Sequence, residues 1–221
     1  YRIWYDKPAS YWEEALPVGN GRIAAMVFGD PQLEQIQLNE ETVSAGSPYQ
    51  NYNEEAKTAL PEMRRLIFEG KYEEAQNMAA TKILSQVGNE MPYQTVGRLN
   101  IRYQDHKKVN NYYRDLDISN AVAVTRYEVD GVEFTEETFA SFTDQLVIRH
   151  IKASKPGTIN CELFFNTPMR DPKRSIYGKK GLRLEGITHG SRYFPGKVHY
   201  CADLDVKHKG GKVITANDTL L

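Results

Sequence analysis

Leu16-Pro17-Val18-Gly19-Asn20-Gly21-Arg22-Ile23-Ala24-Ala25-Met26-Val27-Phe28 is the stretch on which the fold of this chain turns. Gly19, Gly21 and Ala24 satisfy G-x-G-x-x-[GA], the spacing of a dinucleotide-binding turn. In that setting the glycines join an apolar strand to a helix whose N-terminus faces the pyrophosphate. Neither flank fits. Trp12-Glu13-Glu14-Ala15-Leu16-Pro17 is not an apolar strand, and Arg22 to Phe28 reads as a strand rather than a helix. The stretch therefore predicts a tight turn entering a strand, with Asn20 and Gly21 at positive φ and Arg22 available for a fixed polar contact. Nucleotide binding is set aside, and no cofactor is expected.

Outward from this turn, Gly29-Asp30-Pro31 carries turn chemistry. Leu33-Glu34-Gln35-Ile36-Gln37-Leu38 then reads as the second arm of a hairpin. The middle changes period. Asn53 is a candidate N-cap, with Glu54 and Glu55 in the first turn. Ala59, Met63, Leu66 and Ile67 follow helical spacing, Pro61 predicts a kink or restart, and Gly70 punctuates. Tyr72, Ala75, Met78, Ala79 and Ile83 mark a second helix, so a helical hairpin is expected over about residues 53–85.

From Gly97 onward nearly everything reads as strand. Asp130-Gly131 between Ala121 to Val129 and Val132 to Ala140 predicts a type I′ hairpin turn. Leu146 to Ile151, Thr158 to Phe165 and Leu182 to Ile187 follow, and Val198 to Val206 and Lys212 to Ala216 flank Gly210-Gly211. About ten strands joined by turns imply a mainly β fold, an antiparallel two-sheet β super-sandwich with the helical hairpin inserted near its start. Residues 1–221 are expected to form a single domain, incomplete at its C-terminal end, where Asn217 to Leu221 looks like the start of another strand.

A chain of 221 residues with 28 basic and 29 acidic side chains, net charge −1, is not a general nucleic-acid binder. No run of 18 apolar residues exists to span a membrane, and the first residues do not read as a secretory h-region. Tyr1 is not an initiator methionine, so upstream residues are expected to have been removed. Cys161 and Cys201 cannot make a four-ligand zinc site; they read as free buried thiols, a disulfide being the alternative for an exported protein. His106, His150, His189, His199 and His208 form no helical metal motif and read as isolated surface or sheet residues, so no metal site is expected. Ser141 and Ser191 lack a nucleophile elbow. The adjacent pairs Glu13-Glu14, Glu40-Glu41 and Glu136-Glu137 would point to opposite faces of a sheet and cannot flank one bond. No catalytic residue is assigned.

Several runs together carry a resemblance: Ile3-Trp4-Tyr5-Asp6-Lys7-Pro8-Ala9, Trp12 to Arg22, Leu38-Asn39-Glu40-Glu41-Thr42, Pro92-Tyr93-Gln94, Tyr113-Arg114-Asp115-Leu116-Asp117 and Phe139-Ala140-Ser141. In these the chain resembles the N-terminal domain of glycoside hydrolase family 95, the inverting α-L-fucosidases. The resemblance implies a β super-sandwich ahead of an (α/α)6 barrel that holds the general acid and the water-activating residues. No helical array of that size is present here, so the barrel and its catalytic residues are expected to be absent. The family usually has Trp-Ser-Gly where Val43-Ser44-Ala45-Gly46 stands, an Arg-Glu pair where Glu136-Glu137 stands, and an acidic residue where Arg98 stands. These departures leave the sugar open.

The resemblance makes the chain's partners its own C-terminal catalytic barrel and, through it, a glycan substrate. It implies a secreted or periplasmic parent. Trp4, Tyr5, Tyr11, Trp12, Tyr49 and Tyr52 crowd the first quarter of the chain. Trp4, Trp12, Asn20, Arg22, Asn39 and Glu40 are candidates for bordering the barrel or its substrate, against the plainer reading that the aromatics fill the core or an interdomain contact. Competing functions are a free-standing carbohydrate-binding module, a purely structural or interaction domain, and part of an α-L-galactosidase or a family 65-type phosphorylase.

Overall fold

The computed structural model describes residues 1–46, 50–85, 91–191 and 194–221. Strands β1 (Arg2–Tyr5), β2 (Leu16–Gly19), β3 (Ile23–Val27) and β4 (Leu33–Glu40) come first, with a 3-10 turn at Trp12–Glu14. Helices α1 (Ala56–Phe68) and α2 (Tyr72–Met78) follow, and a π turn over Ala79–Ile83 extends the second. Then come β5 (Gly97–Tyr103), β6 (Val109–Asp117), β7 (Val122–Val129), β8 (Val132–Ser141), β9 (Leu146–Ala153) and β10 (Cys161–Asn166). β11 (Arg170–Tyr177), β12 (Gly181–Ile187), β13 (His199–Asp205), β14 (Thr215–Ala216) and β15 (Thr219–Leu220) complete the order.

Every pairing between these strands is antiparallel. Where two sheets were expected, the strands form three: a seven-stranded sheet β14-β15-β10-β5-β4-β3-β2, a five-stranded sheet β1-β6-β7-β8-β9 and a three-stranded sheet β11-β12-β13. The sandwich survives because one layer is split. β2 contacts β7 and β8 and β3 contacts β8 and β9, while β10 and β15 contact β12. Both smaller sheets thus cover the seven-stranded one. A single apolar cluster joins all three, with Val18, Val27 and Ile36 from the large sheet, Leu116 and Ala123 from the second, and Leu182 and Leu184 from the third. Period-2 alternation supplies this face: in β2 Leu16 and Val18 are buried while Pro17 and Gly19 are exposed.

Local readings differ at several places. β2 does form before the turn, although its flank looked unlike a strand. Only Gly21 has positive φ there (94°); Asn20 is absent from that region and works through its side chain instead. Asp130 and Gly131 both take positive φ, 49° and 73°, as the hairpin required. Glu13 and Glu14 lie in the 3-10 turn, not on a strand. β13 and β14 do not form a hairpin around Gly210-Gly211; they belong to different sheets. β11 was not foreseen, because Arg170-Asp171-Pro172-Lys173-Arg174 is charged and contains proline. It is an edge strand with a register shift between Arg170 and Lys173, where a proline is tolerated.

α1 starts at Ala56, and Asn53 opens the turn before it: its Oδ1 accepts from Glu55 N at 3.0 Å and its carbonyl from Ala56 N at 3.1 Å. Glu54 and Glu55 therefore precede the helix. Pro61 neither breaks nor restarts α1. It lies on an exposed face of the helix. Among the described residues no helix is long and apolar enough to cross a membrane.

The insertion between the neighbouring strands β4 and β5 is a stalk carrying a helical hairpin. Ser44 pairs with Tyr93, Ala45 N donates to the Pro92 carbonyl at 2.8 Å and Gln94 N to the Val43 carbonyl at 2.9 Å. Val43 and Ala45 are buried. Gln94 clamps the stalk to the segment after β12, Nε2 donating to His189 O and Oε1 accepting from His189 N, both at 2.8 Å. Asn53 Nδ2 donates to the Thr81 carbonyl at 3.1 Å and closes the base of the helices.

Candidate functional site

Three of the six candidate residues, Asn20, Arg22 and Glu40, meet at the root of this stalk, and Asn39 lies beside them on β4. The β2–β3 turn is built by Asn20, whose Oδ1 accepts from Arg22 N at 3.1 Å and Ile23 N at 3.0 Å. Its Nδ2 crosses to the five-stranded sheet, donating to Ser141 O at 2.9 Å and Gln145 Oε1 at 3.3 Å. Arg22 Nε donates to Glu40 Oε1 at 3.2 Å. The other oxygen of Glu40 accepts from Thr42 N at 2.8 Å and Thr42 Oγ1 at 2.5 Å. Burial alone would raise the Glu40 carboxyl, but the hydrogen bonds from Thr42 and Arg22 outweigh it and hold the group below its usual range. Tyr93 from the stalk donates its hydroxyl to the Glu40 carbonyl at 3.1 Å. Asn39 is half-buried opposite Ala24, and its Oδ1 has no partner among the described residues.

Trp4 and Trp12 lie apart from this group. Trp4 sits on β1, separated from β8 by β6 and β7, or about 14 Å at the usual strand spacing. It stacks on Tyr113 with ring centroids 6.3 Å apart and remains 61% exposed. Trp12 is half exposed in the 3-10 turn. Trp4, Tyr11, Trp12 and Tyr52 are thus surface residues, whereas Tyr5 packs against the core and its ring lies 4.1 Å from the Arg114 guanidinium. Tyr49 lies outside the described residues. Arg114, quoted only as part of a motif, is the residue that fastens this N-terminal segment. Fully buried, it donates through Nε to the Lys7 carbonyl at 2.8 Å and through a terminal nitrogen to the Glu14 carbonyl at 2.7 Å.

The strongest electrostatic feature was not anticipated. Glu34 and Glu136 both accept from the same terminal nitrogen of Arg149, Glu34 at 2.7 Å, in the heart of the sandwich. Arg149 also donates to Thr138 Oγ1 at 2.6 Å, and Gly29 N donates to Glu34 at 2.9 Å. Tyr103 and Tyr127 donate to the far oxygen of Glu136 at 2.7 and 2.6 Å. Burial pushes the Glu34 carboxyl up to about 7; Arg149 opposes the rise and Glu136 adds to it. Burial and the neighbouring Glu136 hold both tyrosine hydroxyls far above their ordinary range. His106 is buried as well, not an isolated surface or sheet residue. Its ring lies 4.3 Å over Tyr103 and its Nδ1 donates to the Pro31 carbonyl at 3.0 Å. Burial lowers its pKa despite that bond. Glu137, next door on β8, faces out toward His150 and Lys152, the alternation expected of the pair.

Little else suggests a reaction centre. An open cleft of about 580 Å³ at the Asp130-Gly131 end is lined by Asp105, His106, Phe134, Asn160, Lys212 and Ile214, among others. Asp105 is already engaged with Asn160, and the His106 Nδ1 is committed to Pro31. Both cysteines are free. Cys161 is half-buried, its thiol pushed up to about 11 by burial, whereas Cys201 is exposed on β13 and not buried as expected. Among the described residues no cluster of three or more His, Cys, Asp or Glu could hold a metal.

The chain matches the model of the family described as "Glycosyl hydrolase family 65, N-terminal domain" over residues 3–221. It is 37% identical over 171 residues to "Alpha-L-fucosidase 2" of Arabidopsis thaliana, covering 76% of this chain and 20% of that protein. It is 26% identical over 162 residues to "Probable alpha-fucosidase A" of Aspergillus niger, covering 69% and 20%. To the Aspergillus oryzae protein of the same description it is 24% identical over 199 residues, covering 84% and 26%. The chain therefore spans about a fifth to a quarter of the length of these relatives. The resemblance to N-terminal domains of α-L-fucosidases holds, and the chain belongs to the glycosyl hydrolase family 65 N-terminal domain family.

Proposed function

We propose that this sandwich is the non-catalytic N-terminal domain of a glycoside hydrolase that removes terminal α-L-fucosyl or closely related α-L-galactosyl groups with inversion. It supports the catalytic barrel, and the end carrying Arg22, Glu40 and Tyr93 borders it. The likeness to "Alpha-L-fucosidase 2" carries the choice of substrate class. The buried chemistry supports the non-catalytic role. Inversion requires two carboxyl groups about 6.5–9.5 Å apart, open to sugar and water. The glutamates that converge here, Glu34 and Glu136, are sealed in the core and bridged by Arg149.

The test is fucose release from a 2′-fucosyllactose-type substrate by the longer polypeptide, with residues 1–221 assayed beside it. Release by the longer protein alone is the expected result. Release of L-galactose from a matched substrate, without fucose, keeps the architecture and changes the sugar. Release by residues 1–221 overturns the non-catalytic role. The exposed Trp4–Tyr113 stack favours a second reading, a glycan-binding module, because sugar rings lay their C–H faces on such aromatics. Saturable binding of L-fucosyl glycans by residues 1–221 in calorimetry, lost in Trp4→Ala, is its signature. The family model's description keeps a phosphorylase parent in view; strict phosphate dependence of sugar release would select it.

A further inference from the structure

We propose that the tip of the helical hairpin, Ile67, Phe68 and Tyr72, is an interdomain grip: the surface that seats the rest of the longer polypeptide against this domain. The inference rests on the reading of the chain as the N-terminal part of a larger enzyme.

The hairpin stands off the sandwich. Helices α1 and α2 contact each other and the π turn, and neither shares an extensive contact with any strand. Within the two α-helices only Ala59, Leu66 and Ala75 are buried. Helices of 13 and 7 residues are too short to be stable in water on propensity alone, and this small mutual interface adds little. At the far end from the stalk, Phe68 is 89%, Tyr72 69% and Ile67 42% exposed. Large apolar side chains gathered on one projecting tip mark a contact surface.

The turn at the tip has a defined backbone geometry. Gly70 takes φ 74°, Lys71 N donates to the Leu66 carbonyl at 2.9 Å and Gly70 N to the Ile67 carbonyl at 3.1 Å. This is the Schellman arrangement, open to glycine because it lacks a Cβ. Arg65 bridges Glu62 and Glu69, and Lys71 also reaches Glu69, bracketing the turn with charge. The turn therefore sets the backbone between Phe68 and Tyr72 before docking, which lowers the ordering cost at that point. At 1.5 Å per residue α1 carries them about 20 Å from its base, far enough to lie along a neighbouring domain. The occupant follows from length. The relatives are four to five times longer than the matched region, so most of such a polypeptide lies outside this fold and must meet it somewhere.

Hydrogen exchange on the longer polypeptide tests this, comparing the parent sequence with the double variant Phe68→Ser, Tyr72→Ser. Both side chains are exposed in this domain, so its own fold should tolerate the change. The expected result is slow exchange of amides 60–78 in the parent and at least about tenfold faster exchange there in the variant, with β3, β4 and β5 unchanged. Rapid exchange of these amides in both proteins overturns the proposal, since the tip would then be free. A parent dimer that the variant converts to monomer, by light scattering, also overturns it, since the tip would then bind a second copy. Inactivity toward fucosides with the tip still protected would sink the substrate assignment and leave the grip standing.

Discussion

Asn20 and Ser141 tie the two layers of the sandwich together, the Asn20 amide donating to the Ser141 carbonyl at 2.9 Å across 121 residues of sequence. The same side chain closes the β2–β3 turn with its oxygen. Asn20→Ala removes both functions at a half-buried position and should cost about 1–2 kcal/mol. Thermal or urea unfolding of residues 1–221 measures it. An unchanged midpoint would mean that water replaces all four bonds without loss.

Arg149→Met leaves Glu34 and Glu136 buried without their shared counter-charge. Removing one partner of such a group costs roughly 3–5 kcal/mol. Urea denaturation at neutral pH should register a loss of this size, and a loss below about 1 kcal/mol would contradict the buried network.

Glu34 predicts a pH dependence. Its folded pKa, about 7, lies above the ordinary 4.5, so between these values the folded state holds a proton that the unfolded state has released. The contribution of this group to stability is therefore full at low pH and is lost as pH rises through about 7. At roughly 1.4 kcal/mol per unit the loss is about 3 kcal/mol. Glu34→Gln imitates the protonated form and should flatten the slope of unfolding free energy between about pH 4.5 and 7. A variant with the parent slope would assign the proton elsewhere.

Arg22→Ala separates support from contact. Arg22 is more than half exposed and its pair with Glu40 is a surface pair, so residues 1–221 should change by less than about 1 kcal/mol. In the longer polypeptide the same change should lower the rate of sugar release or the stability. No effect on either there would remove Arg22 from both the interdomain and the substrate role.

Gly97→Ala probes the seam where the seven- and three-stranded sheets meet. Gly97 takes φ 143°, and a Cβ there would sit 2.5 Å from the Asn166 carbonyl and 3.2 Å from Leu184. Overpacking of this kind costs about 1–3 kcal/mol, and calorimetry on residues 1–221 should show it as a lower midpoint.

Much of the fold was legible because its strands alternate and its turns carry glycine and asparagine. Val18, Val27 and Ile36 announce one face, and Asp130-Gly131 names its own turn type. Arg170 to Tyr177 was illegible because an edge strand buries little and so needs no apolar pattern. The split of one layer into five and three strands was equally hidden, since pairing partners depend on contacts far apart in sequence. The charged core did leave a trace. Glu34 shares its face with Ile36 and Leu38, and a glutamate on an apolar face must find a partner inside. Its partner, Arg149, lies 115 residues away, which no local pattern reports. Of the candidate site, the Asn20, Arg22 and Glu40 cluster was legible as a set of residues, while the two tryptophans sit elsewhere. Ile67 and Tyr72 read as stripe positions and Phe68 drew no reading, because helical spacing does not say whether anything covers the stripe.

The pairing of β1 with β6 sets the timetable of biosynthesis. Residues 2–5 find their partners only at residues 114–117. At about 5–20 residues per second the nascent strand waits on the order of ten seconds for the ribosome to deliver them. Through that interval Ile3, Trp4 and Tyr5 have no strand of their own sheet to pair with. An unpaired apolar strand of this kind is open to chaperones and to aggregation until β6 has emerged.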